Sequence, residues 1–150
     1  MRHVSSALIV AMLVLCVPAV AEEMEPQMIV MSHMGGSLAV SLEAVETVFF
    51  MEKDGGQRFH LVWDGNPEGK TIQGDEAGEV WKAIQGRFEG EFVWVSHMGG
   101  TLGIAREHIT SVFYMPAKDG KAATVRINYN GESKAVEGDE AAAIWKMLSK

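Results

Sequence analysis

The residue types best suited to chemistry are concentrated in a five-residue string that occurs twice, Ser32-His33-Met34-Gly35-Gly36 and Ser96-His97-Met98-Gly99-Gly100. Imidazole and thioether together suit copper, and imidazole also suits zinc. On an extended strand His33 shares a face with Met31, two residues earlier. His33, His97 and Met31, with Met34 or Met98 as a further thioether, would form a metal site if the two strings met in space. Val95 stands where a second Met31 would be needed, which weakens the symmetry of such a site. The competing reading is a hairpin whose residues serve turn geometry and cross-strand pairing, with both glycines of the pair in the turn at positive φ.

Other chemistry is poorly represented. His60 and His108 have Thr124 and Ala44 at the positions 64 residues away, and they are expected on the surface. No Ser or Asp stands in a nucleophile-elbow or triad context. The pairs Asp75-Glu76 and Asp139-Glu140 could suggest acid–base work or calcium. Each opens a helical stretch, where Asp as N-cap and Glu at the positive end of the dipole account for both. The Gly-Gly pairs lead into strands and lack the lysine pattern of a phosphate loop. Neither catalysis nor a cofactor is expected.

The elements that would carry these residues repeat. At an offset of 64 and without gaps, residues 28–86 align with 92–150, and 20 of the 59 pairs are identical. Each segment reads as an apolar strand, a Gly-Gly turn, a second strand, a bend at Glu43 or Glu107, and an aromatic strand (Val45 to Met51, Ile109 to Met115). An alternating strand follows, with Phe59, Leu61 and Trp63, or Val125 and Ile127, facing inward. After turns at Gly65-Asn66-Pro67 and Asn130-Gly131 come short strands at 70–72 and 134–136. A helix closes each segment with an i, i+3, i+4, i+7 stripe: Ala77, Val80, Trp81 and Ile84, or Ala141, Ile144, Trp145 and Leu148.

The expected fold is therefore α+β: a tandem duplication of a small antiparallel sheet of four to five strands closed by one C-terminal helix, in a pseudo-two-fold arrangement. The first module spans 28–86, a linker 87–91, and the second module 92–150. Phe49-Phe50 and Phe113-Tyr114 put aromatics on both faces of one strand, which predicts burial between modules or an exposed patch.

The N-terminus reads as a signal peptide over 1–21. Arg2 and His3 precede an apolar run from Ala7 to Val17, and Ala19-Val20-Ala21 is a small-x-small cleavage site before Glu22-Glu23. Residues 22–27 form a flexible leader. Cys16 could be the acylated cysteine of a lipoprotein, but Leu15 is not the small residue that processing requires. Cys16 is the one cysteine of the chain. Its removal would leave no disulfide, thiolate, cysteine–zinc or covalent haem chemistry. A secreted or periplasmic location follows.

Lys and Arg number 13 against 20 Asp and Glu, a formal net charge of −7. Nucleic acid and anionic lipid surfaces, which reward a basic face, are not expected as partners. No later stretch is long enough for a membrane span. The chain is expected to be an exported non-catalytic binding or protein-interaction protein, with a protein or a small ligand as partner. The alternative is periplasmic copper or zinc handling through His33 and His97.

Overall fold

A computed structural model describes residues 27–150, so the expected signal peptide over 1–21, Cys16 and all of the expected leader but Gln27 lie outside the described residues. Strands β1 (Met28–His33), β2 (Gly36–Ser41), β3 (Val45–Lys53), β4 (Gly56–Trp63) and β5 (Asn66–Gln73) precede helix α1 (Asp75–Phe88). Then β6 (Phe92–His97), β7 (Gly100–Ala105), β8 (Ile109–Met115), β9 (Thr124–Tyr129) and β10 (Glu132–Glu137) lead into α2 (Asp139–Leu148). The fold is mixed α+β, with ten strands in three antiparallel sheets and the second helix at the C-terminus. The bends at Glu43 and Glu107 are single 3-10 turns, Leu42–Ala44 and Arg106–His108.

One sheet joins the two halves of the chain. Its order is β5-β4-β3-β7-β6, and β3 meets β7 with Thr47 opposite Ile104, Val48 opposite Gly103, Phe49 opposite Leu102 and Phe50 opposite Thr101. The hairpin β1-β2 forms a sheet by itself, and β10-β9-β8 forms the third. A two-fold arrangement would pair β8 with β2 as β3 pairs with β7, yet these strands stand in different sheets.

Two apolar cores result. The first gathers Ile29, Met31 and Val40 from the β1-β2 hairpin with Val45, Val48, Phe59 and Leu61, under the α1 stripe of Ala77, Val80, Trp81, Ile84 and Phe88. The second gathers Val93, Val95, Leu102 and Ile104 with Val125, Ile127 and Tyr129, under Ala141 and Ile144 of α2. Strand β6 divides its side chains between them: Phe92 and Trp94 pack into the first core, Val93 and Val95 into the second. That division explains a strand apolar on both faces. Strand β3 is shared likewise, for Phe50 stacks on Trp81 with ring centroids 5.0 Å apart while Phe49 joins the second core.

Several details differ from expectation. The expected linker is helical at its start, because α1 continues to Phe88, whose ring is buried in the first core. Strand β5 begins at Asn66 and contains Pro67, which an edge strand tolerates because one side of it makes no ladder bonds. Asp75 and Asp139 are the first helical residues and make no cap bond; Gly74 and Gly138, at φ of 74°, hold the N-cap positions. Trp145 keeps 36% of its surface exposed and stacks on Tyr114, whereas Trp81 is buried.

Candidate functional site

The hairpin turn is Met-Gly rather than Gly-Gly. His33 pairs with Gly36 and His97 with Gly100, so the central residues are Met34 (φ 49°) and Gly35 (φ 80°), and again Met98 (φ 47°) and Gly99 (φ 77°). Both carry the positive φ that a two-residue hairpin demands. The second glycine of each pair opens the next strand instead. At Gly100 a Cβ would meet the Phe50 carbonyl oxygen and lie 2.9 Å from Met51 Cβ, so glycine is required there by the close approach of β3.

The serine of each string is held by a helix. Ser32 donates its N–H to Glu76 Oε1 at 2.6 Å and its hydroxyl to Oε2 at 2.5 Å. Ser96 donates its N–H to Glu140 Oε1 at 2.6 Å. β1 and β6 are outer strands, so these N–H groups have no ladder partner, and the carboxylate in the first helical turn supplies one. The two bonds from Ser32, with Lys70 nearby, hold the Glu76 carboxyl below its ordinary pKa.

The two histidines have separate surroundings. His97 is half-buried, sits edge-on to Phe49 with centroids 5.6 Å apart, and has its Nδ1 2.8 Å from Lys134 Nζ. The ammonium can only donate, which assigns the ring proton to Nε2. Burial, and then the Lys134 charge, lower its pKa. His33 is exposed, beside a shallow groove with Ser32, Lys70, Gln73 and Glu76. Met31 is buried in the first core at 2% exposure, while Met34 and Met98 stand at the turn tips, 92% and 80% exposed. Among the described residues no group of three or more His, Cys, Asp or Glu is placed to hold a metal ion.

The other two histidines do structural work that the sequence did not signal. His60 is half-buried, with Nδ1 2.8 Å from the Thr71 hydroxyl across β4 and β5. His108 has 14% of its side chain exposed; its Nε2 donates to the Glu43 carbonyl at 3.3 Å and its Nδ1 accepts from Asn130 at 3.2 Å. A surface position was expected for both. The partners that draw them inward lie on strands and turns distant in sequence.

The remaining distinctive feature is how the sheet edges are protected. An unpaired edge invites another strand, and proteins guard against that with charge, proline or cover. The outer strand β5 carries Pro67, Glu68 and Lys70, and β10 carries Glu132, Lys134 and Glu137. At β1 and β6 the outward Ser32 and Ser96 N–H groups are taken by helix carboxylates. Strands β2 and β8 have none of these devices: neither contains Asp, Glu, Lys, Arg or Pro. Each pairs on one side, and no backbone hydrogen bond on the other joins it to any described residue. Strand β8 also exposes 58% of Phe113 and 50% of Met115, and Val30 of β1 is 56% exposed. The letters of β8 resemble those of β3; which edge is filled depends on pairing between halves, which the sequence does not display.

The chain matches no family model, no curated protein and no solved structure.

Proposed function

We propose that the protein is an exported, non-catalytic interaction protein that engages its partner by accepting a strand at the β8 edge. The observation that carries this reading is the bare edge itself: an uncharged strand whose outer side pairs with no described residue and which exposes Phe113 and Met115, whereas the outer strands β1, β5, β6 and β10 are guarded and β2, equally uncharged, has no such pair of large exposed side chains. Strand addition draws affinity from main-chain hydrogen bonds and selectivity from alternate side chains. Phe113 and Met115 lie two residues apart, on one face, and would supply the side-chain contacts. Export is part of the proposal and rests on the N-terminal signal pattern.

The test is a panel of uncharged extended peptides of six to eight residues, titrated against the wild type and Phe113→Lys. Saturable binding that the substitution abolishes is the expected result. Absence of binding, combined with turnover in a broad hydrolase screen, overturns it. Among the described residues no helix is long and apolar enough to cross a membrane, so display of this edge does not depend on a helical anchor in that region.

A further inference from the structure

We infer that the strand accepted by β8 is β2 of a second copy of this chain, so that β10-β9-β8 is completed by the partner's β2-β1 hairpin into a five-stranded sheet. The inference rests on β8 being the binding edge, as proposed above, and names its occupant. The pattern is present within the molecule, where β5-β4-β3 is completed by β7-β6. Shifting the β3–β7 register by 64 residues sets Ser111 opposite Val40, Val112 opposite Ala39, Phe113 opposite Leu38 and Tyr114 opposite Ser37.

Three features of the β1-β2 hairpin fit that use. Gly100 is needed because β3 comes close, and Gly36, 64 residues earlier, gives the same clearance where a Cβ would meet no other described strand within 4 Å; its closest described neighbour is the His33 carbonyl of its own hairpin, 3.6 Å from a Cβ placed there. At Gly103 a Cβ would meet the Trp94 ring and lie 2.7 Å from Val48 Cγ2. Trp94 is the cross-strand partner of Gly103, and Val30 is the cross-strand partner of Ala39. The smaller Val30 leaves the room that Ala39 takes up, so large-small in one hairpin becomes medium-medium in the other. His97 sits edge-on to Phe49, and the same register brings His33 to the exposed Phe113 of the other copy. Charge permits the approach, because β1, β2 and β8 contain no Asp, Glu, Lys or Arg and the net charge of −7 is carried elsewhere.

Each copy thus offers one acceptor edge and one donor hairpin, a heterologous contact that closes into a reciprocal dimer or extends head to tail. The experiment is sedimentation velocity on the exported protein from about 1 to 200 µM, with Ala39→Lys and Phe113→Lys. Both residues are exposed, so neither change touches a core, and Met115→Lys serves as a second acceptor variant should Phe113→Lys melt early. Wild type is expected to at least double its mass across the range, and each variant alone to stay monomeric. A mixture of Ala39→Lys with Phe113→Lys is expected to recover a dimer, since the first retains a sound β8 and the second a sound β2. A wild type that stays monomeric, an assembly indifferent to Phe113→Lys, or a mixture that does not recover overturns the inference. If the monomer still binds the peptide panel at β8, self-pairing falls and the interaction reading stands.

Discussion

Ser32 and Glu76, 44 residues apart, are joined twice, backbone N–H to one carboxylate oxygen at 2.6 Å and hydroxyl to the other at 2.5 Å. This clamp fixes the outer strand of the β1-β2 hairpin to the start of α1. Because the bonds favour the ionised carboxyl, its pKa in the folded chain lies below the ordinary 4.5. The stability it contributes is complete above the unfolded value and is lost as pH falls through the folded one. Glu76→Gln is therefore expected to lower Tm at pH 7, with the gap to wild type closing as pH drops below about 4.5. Thermal melts at pH 7, 5 and 4 read this directly; a gap independent of pH excludes an ionic origin.

Gly103→Ala should destabilise by about 1–3 kcal/mol, because its methyl would strike Trp94 and Val48 in packed surroundings. Adding Trp94→Val to Gly103→Ala recreates the Val30–Ala39 pair and is expected to recover part of the loss relative to the sum of the single changes. Urea denaturation of the four proteins gives the coupling, and strict additivity would show that the two side chains do not compete for space.

The two helix tryptophans should separate in the same assay. Trp81 is buried against Phe50 and Trp94, and its replacement by Ala is expected to cost about 3–5 kcal/mol. Trp145→Ala leaves less of a cavity because the ring is 36% exposed, and about 1–2 kcal/mol is expected from the smaller area returned to water.

His97 acts in a higher pH range but in the same direction. Burial and then Lys134 lower its pKa, so the unfolded chain takes up a proton more readily than the folded one. Stability is full above the unfolded value of 6.5 and declines as pH falls from there toward the folded value. His97→Asn should flatten the decline in Tm between pH 7.5 and 5.5, measured against wild type in the same buffers.

Local order was legible in the sequence because local rules govern it. Alternation at Phe59 and Leu61 placed both inward, and the 3.6-residue stripe of α1 placed Ala77, Val80, Trp81 and Ile84 in the core. Residues whose roles depend on distant partners were not legible. Glu76 resembles any acid at a helix start until Ser32 is set beside it, and Gly100 resembles a turn residue until β3 passes in front of it. The candidate site followed the same division. His33, His97 and Met31 were visible as possible ligands, but their surroundings differ: one exposed, one against Phe49 and Lys134, one in the core. The open β8 edge was only half legible: the letters predict either burial between modules or exposure for the aromatics of both copies, and what lies alongside decides which, since Phe113 and Phe49 are the same residue type.

The joining of β3 to β7 also sets an order of events in time. Residues 47–50 find their neighbours only at 101–104, so about fifty residues must follow β3 before its edge is covered. At a synthesis rate of ~5–20 residues per second, that is an interval of roughly 2.5–10 s during which the first half of the chain is made but unfinished. A long-range pairing of this kind delays completion of the fold, because loop-closure entropy must be met before the contacts it brings are gained. The same delay makes a fragment ending at Phe88 an aggregation-prone species, since its β3 edge would have no β7 to receive.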